Sequence, residues 1–131
     1  MELETIVSAL NQAFNKEKVK IAVLSPEWLQ RNTESEINCT GFCYAASEVI
    51  YRLNGGKTVW KKVSIARSKW EHGGHCYLIK KENNAILDIT REQYSLTDID
   101  IPYNLGKAGG FRQIGKKAEL LAYMAGLPSL R

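Results

Sequence analysis

The chain has 131 residues and a formal net charge of +4, the length of one domain able to bury a core without metal or disulfide staples. A hydrophobic content of 44% and a charged content of 24% exclude low-complexity and disordered classes. No apolar run approaches the ~20 residues of a membrane span and no export signal opens the sequence, so the expectation is a cytoplasmic protein without a membrane partner.

In chain order, Leu3, Ile6, Val7, Leu10, Ala13 and Phe14 recur at three- and four-residue steps, which predicts an amphipathic helix over residues 3–14 with Glu2 and Glu4 near its positive end. Residues 15–18 are a polar break. Residues 19–24 form an apolar run too short for periodicity to assign to strand or helix. Ser25-Pro26-Glu27 reads as an N-cap, a proline at the first helical position and an acid in the first turn. The short helix it opens is expected to give way at residues 31–37 to a polar loop. In the next helix Phe42, Ala46, Val49, Ile50 and Leu53 share a face, and Asn54-Gly55-Gly56 supplies residues suited to a left-handed cap.

Val59, Lys61, Val63 and Ile65 alternate with Trp60, Lys62 and Ser64, predicting a strand over residues 58–65. Residues 76–79 are continuously apolar, as in a strand covered on both faces, residues 80–84 form a hairpin turn, and residues 85–90 the next strand. Arg91-Glu92-Gln93-Tyr94 reads as a helical turn. Residues 95–115, with four glycines before the final helix, are expected to be irregular and mobile and to line or cover the functional site. Residues 116–125 close the chain as a helix with Leu120, Leu121 and Met124 inward, Gly126 as cap and Pro128 as stop.

Three residue types capable of thiol chemistry fall on suitable elements in this order. Cys43 stands where the polar stretch Asn38-Cys39-Thr40-Gly41 turns into an apolar helix, a position where first-turn N–H groups and the helix dipole favour a thiolate. His75 begins an apolar strand, whereas His72 precedes the flexible Gly73-Gly74 pair; His75 is therefore the expected base. Asp88 lies on the neighbouring strand. One of these two positions is odd and the other even, so an unbulged antiparallel hairpin with an even-numbered loop puts His75 and Asp88 on one face. A turn centred on Lys81-Glu82 sets them opposite, one on Glu82-Asn83 makes them diagonal, and one on Asn83-Asn84 separates them. The backbone N–H of Cys43 with the side-chain amide of Asn38 is the expected oxyanion site, Gly41 would let a substrate approach the backbone, and Trp70 and Tyr44 are candidate groove walls. Cys39 and Cys76 are expected bystanders.

Cysteine on a helix start, histidine at a strand start and a carboxylate on the next strand is the order of papain-like and transglutaminase-like enzymes, although papain-like enzymes carry a glutamine where this chain has Ile37. The run Gly41-Phe42-Cys43-Tyr44-Ala45-Ala46-Ser47-Glu48, the later His75-Cys76-Tyr77-Leu78, Leu87-Asp88-Ile89-Thr90 with Gln93 behind it, and a basic C-terminal helix resemble the YunG-like family of small bacterial and phage proteins. The resemblance covers about residues 38 to 125. It implies an α+β domain with a papain-like or transglutaminase-like core, a cysteine-bearing helix packed on a small antiparallel sheet. The implied chemistry is a cysteine peptidase, amidase, deamidase or acyltransferase acting on a peptide or amide substrate.

Other functions are weighed on the same residues. Three cysteines, an odd number, point to reduced thiols rather than a disulfide framework. The spacing of Cys39, Cys43, His72 and His75 matches no recurrent zinc pattern, and neither a metal nor a cofactor is expected. The glycines of residues 105–111 are not spaced as a P-loop. Lys57, Lys61, Lys62, Arg67 and Lys69 would serve a nucleic-acid partner, and a non-catalytic regulatory module contacting a host protein is the competing class.

Overall fold

The computed structural model describes residues 1–97 and 100–131. Three helices open the chain: α1 (Leu3–Phe14), α2 (Glu17–Val23) and α3 (Pro26–Ser35). The apolar stripe of α1 buries Ile6, Leu10, Ala13 and Phe14. The ambiguous run after it is helical because Val19 and Val23, four residues apart, both become buried where α2 meets α1 and the C-terminal helix. The amide of Trp28 donates to Ser25 Oγ at 3.4 Å, with Pro26 in the first turn of α3. This helix continues through most of the expected polar loop. Its polar residues bond within the helix, Arg31 to Glu27 at 3.1 Å and the Thr33 hydroxyl to the Leu29 carbonyl at 3.0 Å, and it stops only at Glu36, which adopts φ +60°.

The helix α4 (Cys43–Leu53) lies against a four-stranded antiparallel sheet in the order β3-β2-β1-β4. The strands are β1 (Trp60–Ile65), β2 (His75–Lys80), β3 (Ile86–Leu87) and β4 (Lys107–Gly109). Ala46, Val49 and Ile50 of α4 join Phe42, Leu78 and the buried face of α1 in the main core. Ser47 donates to the Cys76 carbonyl at 3.4 Å, joining α4 to β2. On the sheet's other side a smaller cluster of Val63, Ile65 and Tyr77 is covered by Trp70 and Tyr103.

Leu78 pairs with Leu87 and Ile79 with Ile86, the register of a turn centred on Glu82-Asn83. Asn84 completes that turn at φ +59°, a conformation asparagine tolerates better than most residues.

The segment expected to be irregular has more order than that. Residues 98–99 lie outside the described residues, but Tyr103–Leu105 form a 3-10 turn and β4 pairs with β1, Ala108 facing Val63. All three residues of β4 are exposed, so no alternation of buried and polar residues marks it in the sequence. The closing helix α5 (Lys116–Met124) buries Ala118, Leu121 and Ala122. Leu120, expected inward, is exposed, and Met124 is half-buried: the helix presents a narrower face built on alanines, which lets it pack close to α4 and α2.

Candidate functional site

A groove of about 1050 Å³ runs across the N-terminal end of α4. It is lined by Leu24, Trp28 and Arg31, by Arg67, Trp70 and the segment 71–75, and by Gly115 with the first turn of α5. Cys43 is the first residue of α4 and lines this groove half-buried. The helix has no side-chain cap, so its first-turn N–H groups, which have no partner within the helix, are oriented toward this end. The turn before it depends on Gly41, at φ +93°; a Cβ there would come within 3.0 Å of Leu24 and 3.2 Å of Trp28. The positive φ, which residues with a side chain rarely adopt, favours glycine there, and these two side chains would crowd any Cβ.

His75 opens β2 opposite Ile65 and is 3% exposed. Its Nε2 lies 2.6 Å from Asp88 Oδ2. Continued past β3, the hairpin register makes the two residues diagonal neighbours. The Tyr103 hydroxyl donates to the same oxygen at 2.9 Å, and the Tyr77 hydroxyl in turn donates to the Tyr103 carbonyl at 3.0 Å. Gly106 makes this backing possible, since a Cβ there would stand 2.3 Å from the Tyr77 hydroxyl. Around the imidazole, Tyr77 stacks at 6.0 Å, and Tyr94 and Trp70 meet it edge-on at 5.3 and 6.4 Å.

Burial in this aromatic setting disfavours a charged imidazole, but the hydrogen bond that the ring donates to Asp88 and the neighbouring Cys43 sulfur outweigh it, raising the His75 pKa to about 9. Burial, with the nearby negative groups, pushes the Tyr94 and Tyr103 phenols well above their ordinary range, so both hydroxyls remain donors. The other two thiols are buried. Burial, followed by the charge of Glu92, raises Cys39 to about 11, and burial raises Cys76 to about 12. Cys39 donates to the Thr90 carbonyl at 3.7 Å and Cys76 sits in the wall at 2% exposure.

Asn38 is not a donor at this site. Its amide oxygen accepts from Lys20 at 2.7 Å and its nitrogen donates to Asn15 at 2.8 Å, on an exposed surface formed with the α1–α2 connection. Proximity in sequence to Cys43 suggested the role, and the turn at residues 38–42 carries the side chain elsewhere. His72 lines the groove but bonds outward, 3.5 Å from Glu71. Of the segment 95–115, Gly115 reaches the groove, while Tyr103 supports the site from behind Asp88.

Three contributors escaped the sequence reading. Tyr103 and Tyr94 arrive from stretches without periodicity. Glu48, 2% exposed on α4, bonds Arg52 at 2.9 Å and accepts the Gly115 amide at 3.1 Å, fixing the start of α5 against the groove. Its spacing of four from Arg52 was a visible signal of an ion pair, though not of this second bond.

The basic residues considered for nucleic acid do not share one face. Lys61 and Lys62 alternate on β1, and the Lys62 ammonium donates to the Tyr44 hydroxyl at 2.8 Å. Among the described residues no three His, Cys, Asp or Glu side chains converge to hold a metal ion, and no helix is long and apolar enough to cross a membrane. No protein-family model, curated protein or solved structure matches the chain.

Proposed function

We propose that this protein is a thiol-dependent acyl enzyme in which Cys43 is the nucleophile, His75 the general base and acid, and Asp88 the residue that orients the ring. The observation that carries this reading is the 2.6 Å contact between His75 Nε2 and Asp88 Oδ2 beside the one cysteine that is half-buried in the groove rather than buried. With Nε2 committed to the carboxylate, Nδ1 is the nitrogen that exchanges a proton with sulfur.

With the proton of Cys43 held on Nδ1, sulfur bonds to the carbonyl carbon of an amide or ester. Electrons move to the carbonyl oxygen, which the first-turn N–H groups of α4 stabilise. Return of the proton from Nδ1 to the leaving amine or alcohol breaks the scissile bond and leaves a thioester on Cys43. Attack by water gives hydrolysis, as in a peptidase, amidase or deamidase, and attack by an amine gives acyl transfer. The resemblance to YunG-like proteins and the packing of a cysteine-bearing helix on an antiparallel sheet support a papain-like core. Reduced thiols suit a cytoplasmic setting.

Incubation with p-nitrophenyl acetate, followed by mass spectrometry of the intact chain, tests the reading. An acetyl adduct mapped to Cys43, absent in Cys43→Ser and slowed about 10²-fold or more in His75→Ala, is the expected result. Equal acetylation of all three cysteines, unaffected by His75→Ala, would leave a non-catalytic module as the better description.

A further inference from the structure

We propose that Gln93 is a positioning residue that follows the protonation state of His75, turning its amide so that the amino group meets the neutral ring and the carbonyl meets the imidazolium. This rests on the reading of Cys43 and His75 as nucleophile and base.

With Nε2 of His75 held by Asp88, every proton exchanged with Cys43 passes through Nδ1. The terminal nitrogen of Gln93 lies 3.4 Å from Nδ1 and 2.9 Å from Thr90 Oγ1, so one end of the amide meets both groups. An amino group there has two hydrogens, one for the Nδ1 lone pair and one for the hydroxyl oxygen. A carbonyl oxygen in the same place has two lone pairs, one for Nδ1–H and one for the hydroxyl hydrogen. Thr90, 0% exposed, serves either orientation because a hydroxyl both donates and accepts. Neither state orphans Nδ1 or the buried Thr90 hydroxyl. The 3.4 Å separation is long for a hydrogen bond, so the amide yields Nδ1 to sulfur without breaking a strong contact. Gln93 is held in place by its own amide, which donates to the Thr90 carbonyl at 3.0 Å within the 3-10 turn Arg91–Thr97.

The other titratable groups around the ring cannot serve this purpose. Asp88 approaches from beyond β3, Cys43 from α4, Tyr77 and Cys76 from β2 itself and Tyr94 from the Gln93 turn; Tyr103, with Arg91 near it, and Glu92, near Cys39, stand behind. Burial above all keeps the Cys76 thiol and the three phenols protonated. Asp88 supplies a counter-charge at Nε2 and Cys43 is the reaction partner that exchanges the proton, so among the described residues the Gln93 amide is the uncharged group that can change sign at Nδ1.

The test is a ring titration of His75 by NMR on the full chain, with the Gln93 side-chain amide resonances followed in parallel. The amide resonances are expected to shift with the midpoint of the ring. Gln93→Glu, which only accepts, should move that midpoint up, and Gln93→Met, which does neither, should move it down. Thr90→Val should follow Gln93→Met by a smaller amount. Circular dichroism confirms that each variant is folded. Midpoints that move in one direction for both Gln93 variants, or do not move, overturn the proposal, as do amide resonances indifferent to the ring's titration. Failure of the acyl-enzyme reading shows separately, as Cys43 alkylation that proceeds equally in wild type and His75→Ala, whatever the Gln93 variants do to the ring titration in proteins that keep His75.

Discussion

Tyr103 and His75 share one oxygen: the phenol donates to Asp88 Oδ2 at 2.9 Å and the imidazole Nε2 meets the same atom at 2.6 Å. The carboxylate is thereby fixed from two sides, the histidine side and the returning segment that becomes β4. Tyr103→Phe removes one charge-assisted bond and should destabilise the fold by about 1.5–3 kcal/mol. Gly106→Ala should do comparable damage by displacing the Tyr77 hydroxyl. Urea titrations of both variants check this, and a Tyr103→Phe protein as stable as wild type would show that the hydroxyl contributes nothing.

The three thiols should separate by reactivity. Cys39 and Cys76, held protonated by burial to about 11 and 12, are expected to resist iodoacetamide in the native state, whereas Cys43 reacts. Peptide mapping after brief labelling at neutral pH should find one alkylated site, and the other two only after denaturation. Labelling of Cys39 at a rate near that of Cys43 contradicts the expectation.

Stability should fall with rising pH in a defined window. The His75 ring titrates near 6.5 in an unfolded chain and near 9 in the fold, because its bond to Asp88 and the nearby Cys43 outweigh burial, which acts the other way. A raised folded value means that the native state holds the proton more tightly, so this contribution is complete below about 6.5 and is lost as pH passes through 9. Thermal midpoints taken from pH 6 to 9.5 should decline more steeply for wild type than for Asp88→Asn, which lacks the counter-charge. Parallel curves for the two proteins refute the assignment.

Glu48→Ala leaves Arg52 without its carboxylate and Gly115 without its acceptor. Loss of one member of a buried pair costs about 3–5 kcal/mol, and here it also frees the amide of Gly115, which lines the groove. Gly115→Ala attacks the same contact from the other side, with a Cβ 2.8 Å from Glu48 Oε1. Hydrogen exchange in the first turn of α5 should quicken in both variants, and an unchanged rate argues that α5 is held by its alanine face alone.

What could be read from residue order followed the strength of local signals. The stripe of α1 and the cap at Ser25 are local chemistry and match the observed elements. The helical state of residues 19–23 was undecidable because only packing against α1 and α5 distinguishes it from a strand. Alternation and parity limited His75 and Asp88 to one face but left the register open, and the turn ending in Asn84 selected the diagonal one. Tyr103 could not be linked to Asp88 in advance, since that contact exists only once β4 folds back beside β1 across a glycine-rich stretch. Asn38 shows the reverse error: nearness along the chain suggested a contact that the turn at residues 38–42 directs toward Lys20 and Asn15.

The sheet distributes the proposed machinery unevenly. His75 belongs to β2, laddered on both sides, whereas Asp88 follows β3, an edge strand of two residues. Partial opening of an edge this short requires far less than global unfolding. Fraying there would draw the carboxylate away from Nε2, against the hold of the Tyr103 hydroxyl, while the helices stayed folded. In the proposed mechanism the fraction of molecules competent for chemistry would then follow a local equilibrium at one margin of the sheet, and variants of the 81–85 hairpin would tune turnover without touching the groove.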